Sequence, residues 1–85
     1  MSLKKIVIFA SGSGSSAENI FKKLGDNEGI EVVKLYCNNP NAYVLKRFKK
    51  YEIDKMIFNN SELDSGKVLD DLININPQLI VLAGF

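Results

Sequence analysis

The sequence alternates short runs rich in apolar residues with segments whose apolar residues recur every three or four positions. The short runs occupy residues 4–10, 31–37, 54–58 and 79–83, and their β-branched content predicts strands. The first and fourth runs are apolar enough to be buried on both faces of a sheet. Strands and helices that alternate over short connections form βαβ units. We therefore expect an α/β fold with the order β-α-β-α-β-α-β, half of a doubly wound, Rossmann-like parallel sheet with strand order 3-2-1-4.

The first helical segment follows a loop of glycine and serine residues. Its apolar stripe has the spacing i, i+3, i+4 and i+7 and consists of Ala17, Ile20, Phe21 and Leu24. Ser15 and Glu18 have the spacing of a capping box, which predicts that the helix begins at the end of the loop. Gly25 is suited to the C-terminal end of this helix.

Two further helical segments are expected downstream. The turn at residues 38–41 precedes a helix over about 42–51, whose basic run at 46–50 is interpreted as a solvated face. Another helix begins near residues 61–64 and ends before Pro77. Its inward face is predicted to consist of Val68, Leu69, Leu72 and Ile75.

The residue content excludes several classes of site and partner. With 11 Lys and Arg against 10 Asp and Glu, the net charge of +1 gives no field that would attract nucleic acid or an anionic membrane. The chain has no histidine and one cysteine, Cys37, so it can form neither a histidine-activated nucleophile nor a zinc site of the usual ligands. A single thiol excludes an internal disulfide, and no apolar run approaches the roughly 20 residues of a membrane span. We expect a cytoplasmic domain without metal, nucleic-acid or membrane partners.

The loop between the first strand and the first helix has the features of an anion site. Glycines allow backbone N–H groups to turn toward a ligand, and a helix N-terminus adds unpaired donors and about half a positive charge. The residues expected to bind a phosphate are Gly12, Ser13, Gly14, Ser15 and Ser16. The alternative interpretation is a flexible glycine-serine connection, but the position after a buried first strand favours the phosphate site.

The same loop also satisfies the pattern G-x-G-x-x-A of dinucleotide-binding proteins. That pattern requires an acidic residue near the end of the second strand to hold the ribose, and this strand ends in Tyr36-Cys37-Asn38-Asn39. No lysine follows the glycines, as a Walker loop would require. A single phosphate group is therefore favoured over a dinucleotide.

Three blocks of the chain resemble the phosphoribosylglycinamide formyltransferases, the folate-dependent transformylases of purine biosynthesis. They are the opening segment at 5–16, the segment Asn38-Asn39-Pro40-Asn41-Ala42, and the closing segment at 77–85, which ends in Leu82-Ala83-Gly84-Phe85. The resemblance covers nearly the whole chain and less than half of the family's domain. It implies transfer of a formyl group from 10-formyltetrahydrofolate to glycinamide ribonucleotide, without a metal.

Individual positions acquire expected roles from this resemblance. The family's Ser-Gly-x-Gly-Ser-Asn loop holds the substrate phosphate, which implies that role for Gly14, Ser15 and Ser16. Ser16 replaces the family's asparagine, so a backbone contact is retained and a side-chain amide contact is not. The Leu-Ala-Gly-Phe block implies that Gly84 borders the substrate and that Phe85 begins the folate pocket. The family's catalytic Asn, His and Asp lie beyond this block.

The last strand is followed only by Gly84 and Phe85, so nothing covers its apolar edge and second face. Such edges are normally hidden or charged. Together with the resemblance, this predicts that residues 1–85 are the N-terminal, phosphate-binding part of a formyltransferase domain, truncated before its catalytic half and inactive alone. We also expect the isolated chain to self-associate through its C-terminal strand.

Two alternative functions stay open. The chain could come from another formyltransferase of the same superfamily, a methionyl-tRNA formyltransferase or a formyltetrahydrofolate deformylase. It could also be a noncatalytic α/β module that binds a phosphorylated ligand. The Ser-Gly-x-Gly-Ser loop favours the purine enzyme, because a phosphate cradle suits a ribonucleotide substrate.

Overall fold

The computed structural model describes residues 4–84, in which four strands alternate with helices. The strands are β1 (Lys4–Phe9), β2 (Ile30–Cys37), β3 (Asp54–Ile57) and β4 (Leu79–Leu82). The helices are α1 (Ser15–Gly25), α2 (Tyr43–Arg47), α3 (Asn60–Asp64) and α4 (Lys67–Ile75), and a short 3₁₀ turn, Phe48–Lys50, follows α2. All strand pairs are parallel and their order is β3-β2-β1-β4, which confirms the predicted α/β class and strand order.

Helices pack on both faces of the sheet because β1 is apolar on both sides. Ile8 belongs to a cluster that packs against α1 and α2, where it meets Ala17 and Val44. Its neighbour Val7 belongs to a second cluster, which packs against α4 through Val68. Both Val7 and Ile8 are fully buried, as expected for successive strand residues that point to opposite covered faces. The predicted burial of the first strand on both faces is confirmed.

The apolar stripe of α1 faces the sheet as predicted, with its four residues buried or packed against the first cluster. The second helix is shorter than the predicted 42–51, because α2 ends at Arg47 and the chain tightens into the 3₁₀ turn. Tyr51 then leaves the turn in an extended conformation, and its ring lies 4.5 Å from that of Phe21. This aromatic contact between α1 and the residue that follows the 3₁₀ turn takes the place of the last turn of the predicted helix.

The predicted third helix is in fact two helices. It is interrupted at Gly66, which has a φ of +88°, and α3 carries a capping box between Asn59 and Glu62 that the sequence analysis missed. In α4, Val68 is buried while Leu69 is 58% exposed, so the predicted inward position of Leu69 is wrong. The physical reason is the helical spacing: Val68, Leu72 and Ile75 form the stripe against the second cluster, and Leu69 lies beside it.

Strand β4 is less buried than its apolar sequence predicts. It pairs with β1 along one edge, and no other strand within residues 4–84 pairs with its outer edge. Leu79, Ile80 and Leu82 are 54%, 45% and 67% exposed. The prediction of a fully buried fourth strand is therefore wrong for these 81 described residues, whereas the uncovered apolar edge is present.

Candidate functional site

A cavity of about 230 Å³ opens at the carboxyl ends of β1 and β4. Its walls are the loop between β1 and α1 and the residues that follow β4: Gly12, Ser13, Gly14, Ser15, Ser16, Ala83 and Gly84. The winding of the sheet reverses at β1, which lies between β2 and β4, and ligands of open α/β sheets bind at such a point. The structure thus brings together the predicted residues 12–16 and Gly84, while Phe85 lies outside the described residues.

Gly14 starts helix α1, and the predicted capping box between Ser15 and Glu18 is wrong. Gly14 occupies the N-cap position in the left-handed conformation, with a φ of +85° and a ψ of 7°. Its carbonyl oxygen accepts the backbone N–H of Glu18 at 2.8 Å, and no side chain caps the helix. Ser15 is already the first helical residue, and its hydroxyl oxygen lies 3.5 Å from the hydroxyl oxygen of Ser13. The hydroxyls of the loop therefore stay near the cavity and do not close the helix end.

Three consecutive carbonyl groups of the loop point into the protein. The oxygen of Gly12 accepts the backbone N–H of Val44 at 3.1 Å, and the oxygen of Ser13 accepts Nε of Arg47 at 2.7 Å. The third is the oxygen of Gly14, which is held by the first turn of α1. In a trans peptide the N–H points opposite to the C=O, so the N–H groups of residues 13, 14 and 15 point away from these partners. Within residues 4–84 these N–H groups have no hydrogen-bond acceptor, so they are available to a ligand in the cavity.

Helix α2 packs directly against the loop at Gly14. A Cβ atom at this position would lie 2.7 Å from both Cα and Cβ of Val44. Both atoms belong to a fully buried residue, so the neighbour cannot move aside without repacking the core. The close approach explains why the second glycine of the loop is required, beyond the freedom that its positive φ demands.

Glu18 lies behind the loop, where three donors surround its carboxylate. Its Oε1 accepts a hydrogen bond from Nη1 of Arg47 at 3.2 Å. Its Oε2 accepts a hydrogen bond from the hydroxyl of Tyr51 at 2.7 Å and forms an ion pair with Nζ of Lys50 at 3.1 Å. Only 7% of Glu18 is exposed. The hydrogen bonds from Tyr51 and then from Lys50 lower the pKa of Glu18 to about 2. The carboxylate consequently stays ionised and paired near the helix N-terminus.

The same contacts act on the donors of Glu18. Its carboxylate raises the pKa of Lys50 and that of Tyr51, in both cases chiefly through the hydrogen bond. The basic run at 46–50 was interpreted as a solvated face, which is confirmed for Lys46, Lys49 and Lys50, whereas Arg47 is half-buried and both Arg47 and Lys50 also pair with Glu18. No local pattern connects Glu18 with Arg47, because 29 residues separate them. Only the packing of α2 against α1 reveals the network.

Ala83 and Gly84, which form the opposite wall of the cavity, are hydrogen-bonded to the end of the first strand and the residues after it. The backbone N–H of Ala83 donates to the carbonyl oxygen of Phe9 at 2.8 Å, which continues the pairing of β1 with β4. The hydroxyl of Ser11 donates to the carbonyl oxygen of Gly84 at 3.0 Å. These two bonds fix the distance between the loop and the residues after β4, so the cavity has a defined width.

A second polar cluster lies on the other face of the sheet. Asp71 of α4 accepts hydrogen bonds from Nζ of Lys34, at 2.7 Å, and from the hydroxyl of Tyr36. The Lys34 ammonium and then the Tyr36 hydroxyl lower the pKa of Asp71, and burial together with Asp71 raises the pKa of Tyr36. The cluster joins β2 to α4 and is separate from the cavity, whose walls include none of its members.

In residues 4–84, no three Cys, Asp or Glu side chains come close enough to share a metal ion. Each helix in the same range falls short of the length and apolar content that crossing a membrane requires. Cys37 is buried, as predicted for a small apolar side chain.

Comparisons with known proteins all point to one family. Residues 4–85 match the family described as formyl transferase. The phosphoribosylglycinamide formyltransferase of Bacillus subtilis is 30% identical over 89 residues, which cover 98% of this chain and 46% of that protein. The chain therefore spans about half the length of the curated relative that it matches.

Solved structures give the same result. The phosphoribosylglycinamide formyltransferase of Bacillus halodurans is 34% identical with a TM-score of 0.79, over 96% of this chain and 45% of that one. The glycinamide ribonucleotide transformylase 1 of Geobacillus kaustophilus is 26% identical with a TM-score of 0.84, over 98% of this chain and 47% of that one. The predicted resemblance to phosphoribosylglycinamide formyltransferases is thus confirmed in both sequence and fold.

Proposed function

Because this chain belongs to the formyl transferase family, we propose that it is the phosphate-binding part of a cytoplasmic phosphoribosylglycinamide formyltransferase. In this proposal the loop at residues 12–16 holds the phosphate of glycinamide ribonucleotide. Gly84 borders the rest of the substrate, and Phe85 begins the pocket of the formyl donor, 10-formyltetrahydrofolate. The relatives named for this activity support the assignment to the purine enzyme over the other formyltransferases.

The observation that carries the proposal is the orientation of the loop peptides. The carbonyl oxygens of residues 12–14 are hydrogen-bonded within the protein, and the N–H groups that follow them point away from those partners, have no acceptor within residues 4–84 and belong to residues that line the cavity. The N-terminus of α1 adds its own unpaired donors and partial positive charge at the same place. Such a set of donors favours an anion with several acceptor oxygens, and a phosphate monoester meets that description.

The size of the cavity limits what this part of the site can hold. Sites that enclose a drug-sized ligand have volumes of roughly 300–1,000 Å³, and this cavity has about 230 Å³. Its volume is sufficient for a phosphate group with part of its ribose. This agrees with a chain that spans about half the length of its relatives.

We propose that the chain binds phosphate without catalysing formyl transfer. Transfer to an amine passes through a tetrahedral intermediate and requires a group that moves a proton, a role that histidine most often fills. The 85 residues contain no histidine. In an assay with 10-formyltetrahydrofolate and glycinamide ribonucleotide, we expect no turnover above the uncatalysed rate. Turnover at catalytic protein concentration would contradict this part of the proposal.

The phosphate site is tested by titrating the ¹⁵N-labelled chain with inorganic phosphate and with glycinamide ribonucleotide at constant ionic strength. We expect saturable shifts of the amide signals of Ser13, Gly14, Ser15 and Ser16. Gly66 is an internal control, because it caps α4 in the same left-handed conformation without a cavity of this kind beside it. Unchanged loop signals, or equal shifts at Gly66, would refute the site.

We also propose that the chain associates with a second copy through β4. The outer edge of this strand is unpaired within residues 4–84, and its exposed side chains are apolar. An unpaired, uncharged edge of this kind is a template for pairing with another strand. The corresponding experiment is described among the predictions below.

A further inference from the structure

One guanidinium group connects the loop, helix α1 and helix α2. Nε of Arg47 donates to the carbonyl oxygen of Ser13 at 2.7 Å, and Nη1 of the same side chain donates to Oε1 of Glu18 at 3.2 Å. Ser13 belongs to the loop and Glu18 to the first turn of α1. Arg47 itself lies at the end of α2, so its side chain bridges three segments of the chain.

The bond to Ser13 determines the direction of the next N–H group. The carbonyl of Ser13 and the N–H of Gly14 belong to one planar peptide and point in opposite directions. While Arg47 holds the carbonyl, the N–H of Gly14 points away from Arg47, and Gly14 itself lines the cavity. Of the three engaged carbonyls, this one alone is bonded to a side chain, since Gly12 and Gly14 are bonded to backbone groups.

The bond from Arg47 to Glu18 reduces the negative charge near the cavity. An ionised carboxylate in the first turn of α1 would oppose an anion bound at the N-terminus of the same helix. Arg47 and Lys50 neutralise this carboxylate, and Tyr51 donates a further hydrogen bond to it. Arg47 therefore acts on the orientation of the donors and on the local charge without lining the cavity itself.

We propose that Arg47 is a positioning residue of the phosphate site, which holds the loop peptides in the orientation that binds the anion. The inference rests on the proposed function, because it takes the loop as the phosphate site. Arginine suits the task, since its planar fork offers donors in two fixed directions, whereas a lysine ammonium concentrates its donors at one point.

The test measures the affinity of the full chain for inorganic phosphate by the amide shifts of the loop, in the wild type and in Arg47→Gln, Arg47→Lys and Lys46→Gln. We expect both Arg47 variants to weaken binding on the order of tenfold, the change that follows from one lost charge-assisted hydrogen bond. Lys46→Gln removes a charge from the exposed side of the same helix, and we expect its affinity to stay within about twofold of the wild type.

A fourth variant separates positioning from loss of stability. Val68→Ala removes buried methyl groups from the other face of the sheet and destabilises the fold without touching the loop. Urea unfolding ranks the stabilities of all variants, and we expect Val68→Ala to bind phosphate as tightly as the wild type. In the absence of phosphate, the amide signals of Gly14 and Ser15 should move in the Arg47 variants alone.

The possible results are distinct. If Arg47→Lys binds as tightly as the wild type, the side chain supplies only charge and the positioning role is refuted. The same conclusion follows if Arg47→Gln loses no more affinity than Lys46→Gln, or if Val68→Ala loses as much. If the wild type itself shows no saturable phosphate binding, the proposed function fails, and the positioning role fails with it.

Discussion

A Cβ atom on Gly14 would lie 2.6 Å from the Cγ2 atom of Val44, a distance that real Cβ atoms essentially never show. The contact joins the start of α1 to the first turn of α2, whose backbone also donates to the loop at Gly12. The loop can therefore keep its shape only while α2 stays in place beside it.

Gly14→Ala should disrupt the loop. Gly66→Ala is the matched control, because Gly66 caps α4 with a φ of +88° and an added Cβ would meet nothing within 4 Å. Each alanine suffers the left-handed strain of about 1–2 kcal/mol, and Gly14→Ala adds overpacking of about 1–3 kcal/mol against Val44. We expect phosphate binding to fall more than tenfold in Gly14→Ala and to be unchanged in Gly66→Ala, by amide shift titration and urea unfolding. Equal stability and affinity of the two variants would contradict the close approach.

The ion pairs of Glu18 should make stability depend on acid pH. Its pKa in the folded chain is lowered from 4.5 to about 2, so the ionised form stabilises the fold. This contribution is complete above about pH 5 and is lost as the pH falls toward the folded-state value. The free energy of unfolding of the wild type minus that of Glu18→Gln should be constant between about pH 5 and about pH 8 and shrink below pH 5, as urea unfolding would measure. Glu28→Gln, at an exposed position, is the control, and a difference that grows on acidification would contradict the assignment.

Two neighbouring aspartates on α4 should respond differently to replacement. Asp71→Ala leaves the buried hydroxyl of Tyr36 and the ammonium of Lys34 without their shared acceptor, which should cost about 1–3 kcal/mol. Asp70→Ala changes an exposed side chain and should stay within about 0.5 kcal/mol of the wild type. Urea unfolding of both variants decides the point, and similar losses would show that the cluster does not stabilise the sheet.

Charge on the edge strand should reduce self-association. We expect sedimentation of the wild type to show dimers or larger species, and Ile80→Lys together with Leu82→Lys to shift the distribution toward monomer, because charged edges resist pairing. Leu63→Lys, at an exposed apolar position on α3, is the control and should leave the distribution unchanged. A wild-type chain that sediments as a monomer at all accessible concentrations would rule out this interface.

The fold was predictable because its signals are local. The strand β1 is apolar throughout residues 6–9 and is buried on both faces, and the stripe of α1 follows a simple spacing. Residues 61–76 were predicted as one helix because Gly66 was not recognised as the end of one helix and the start of another. A glycine inside a helical pattern is compatible with one continuous helix or with two helices, and only its left-handed conformation distinguishes them.

The site was predictable only in part, for a related reason. The glycines and serines that the sequence pattern singled out lie together in the wall of one cavity, and their binding of phosphate stays a prediction. The capping box failed since the side chain of Glu18 is drawn to Arg47, Lys50 and Tyr51, which are distant in sequence. Contacts of this length are set by tertiary packing and leave no trace in local spacing.

Helix α2 has only five residues, far fewer than the roughly 12–15 at which an isolated helix becomes marginally stable. Packing against the loop stabilises this short helix, and the helix in turn fixes the conformation of the loop. The two segments should form and melt together, as one cooperative unit built from distant stretches of chain. Loosening the connection between β2 and α2 would then loosen the loop at residues 12–16 while the central sheet remained intact.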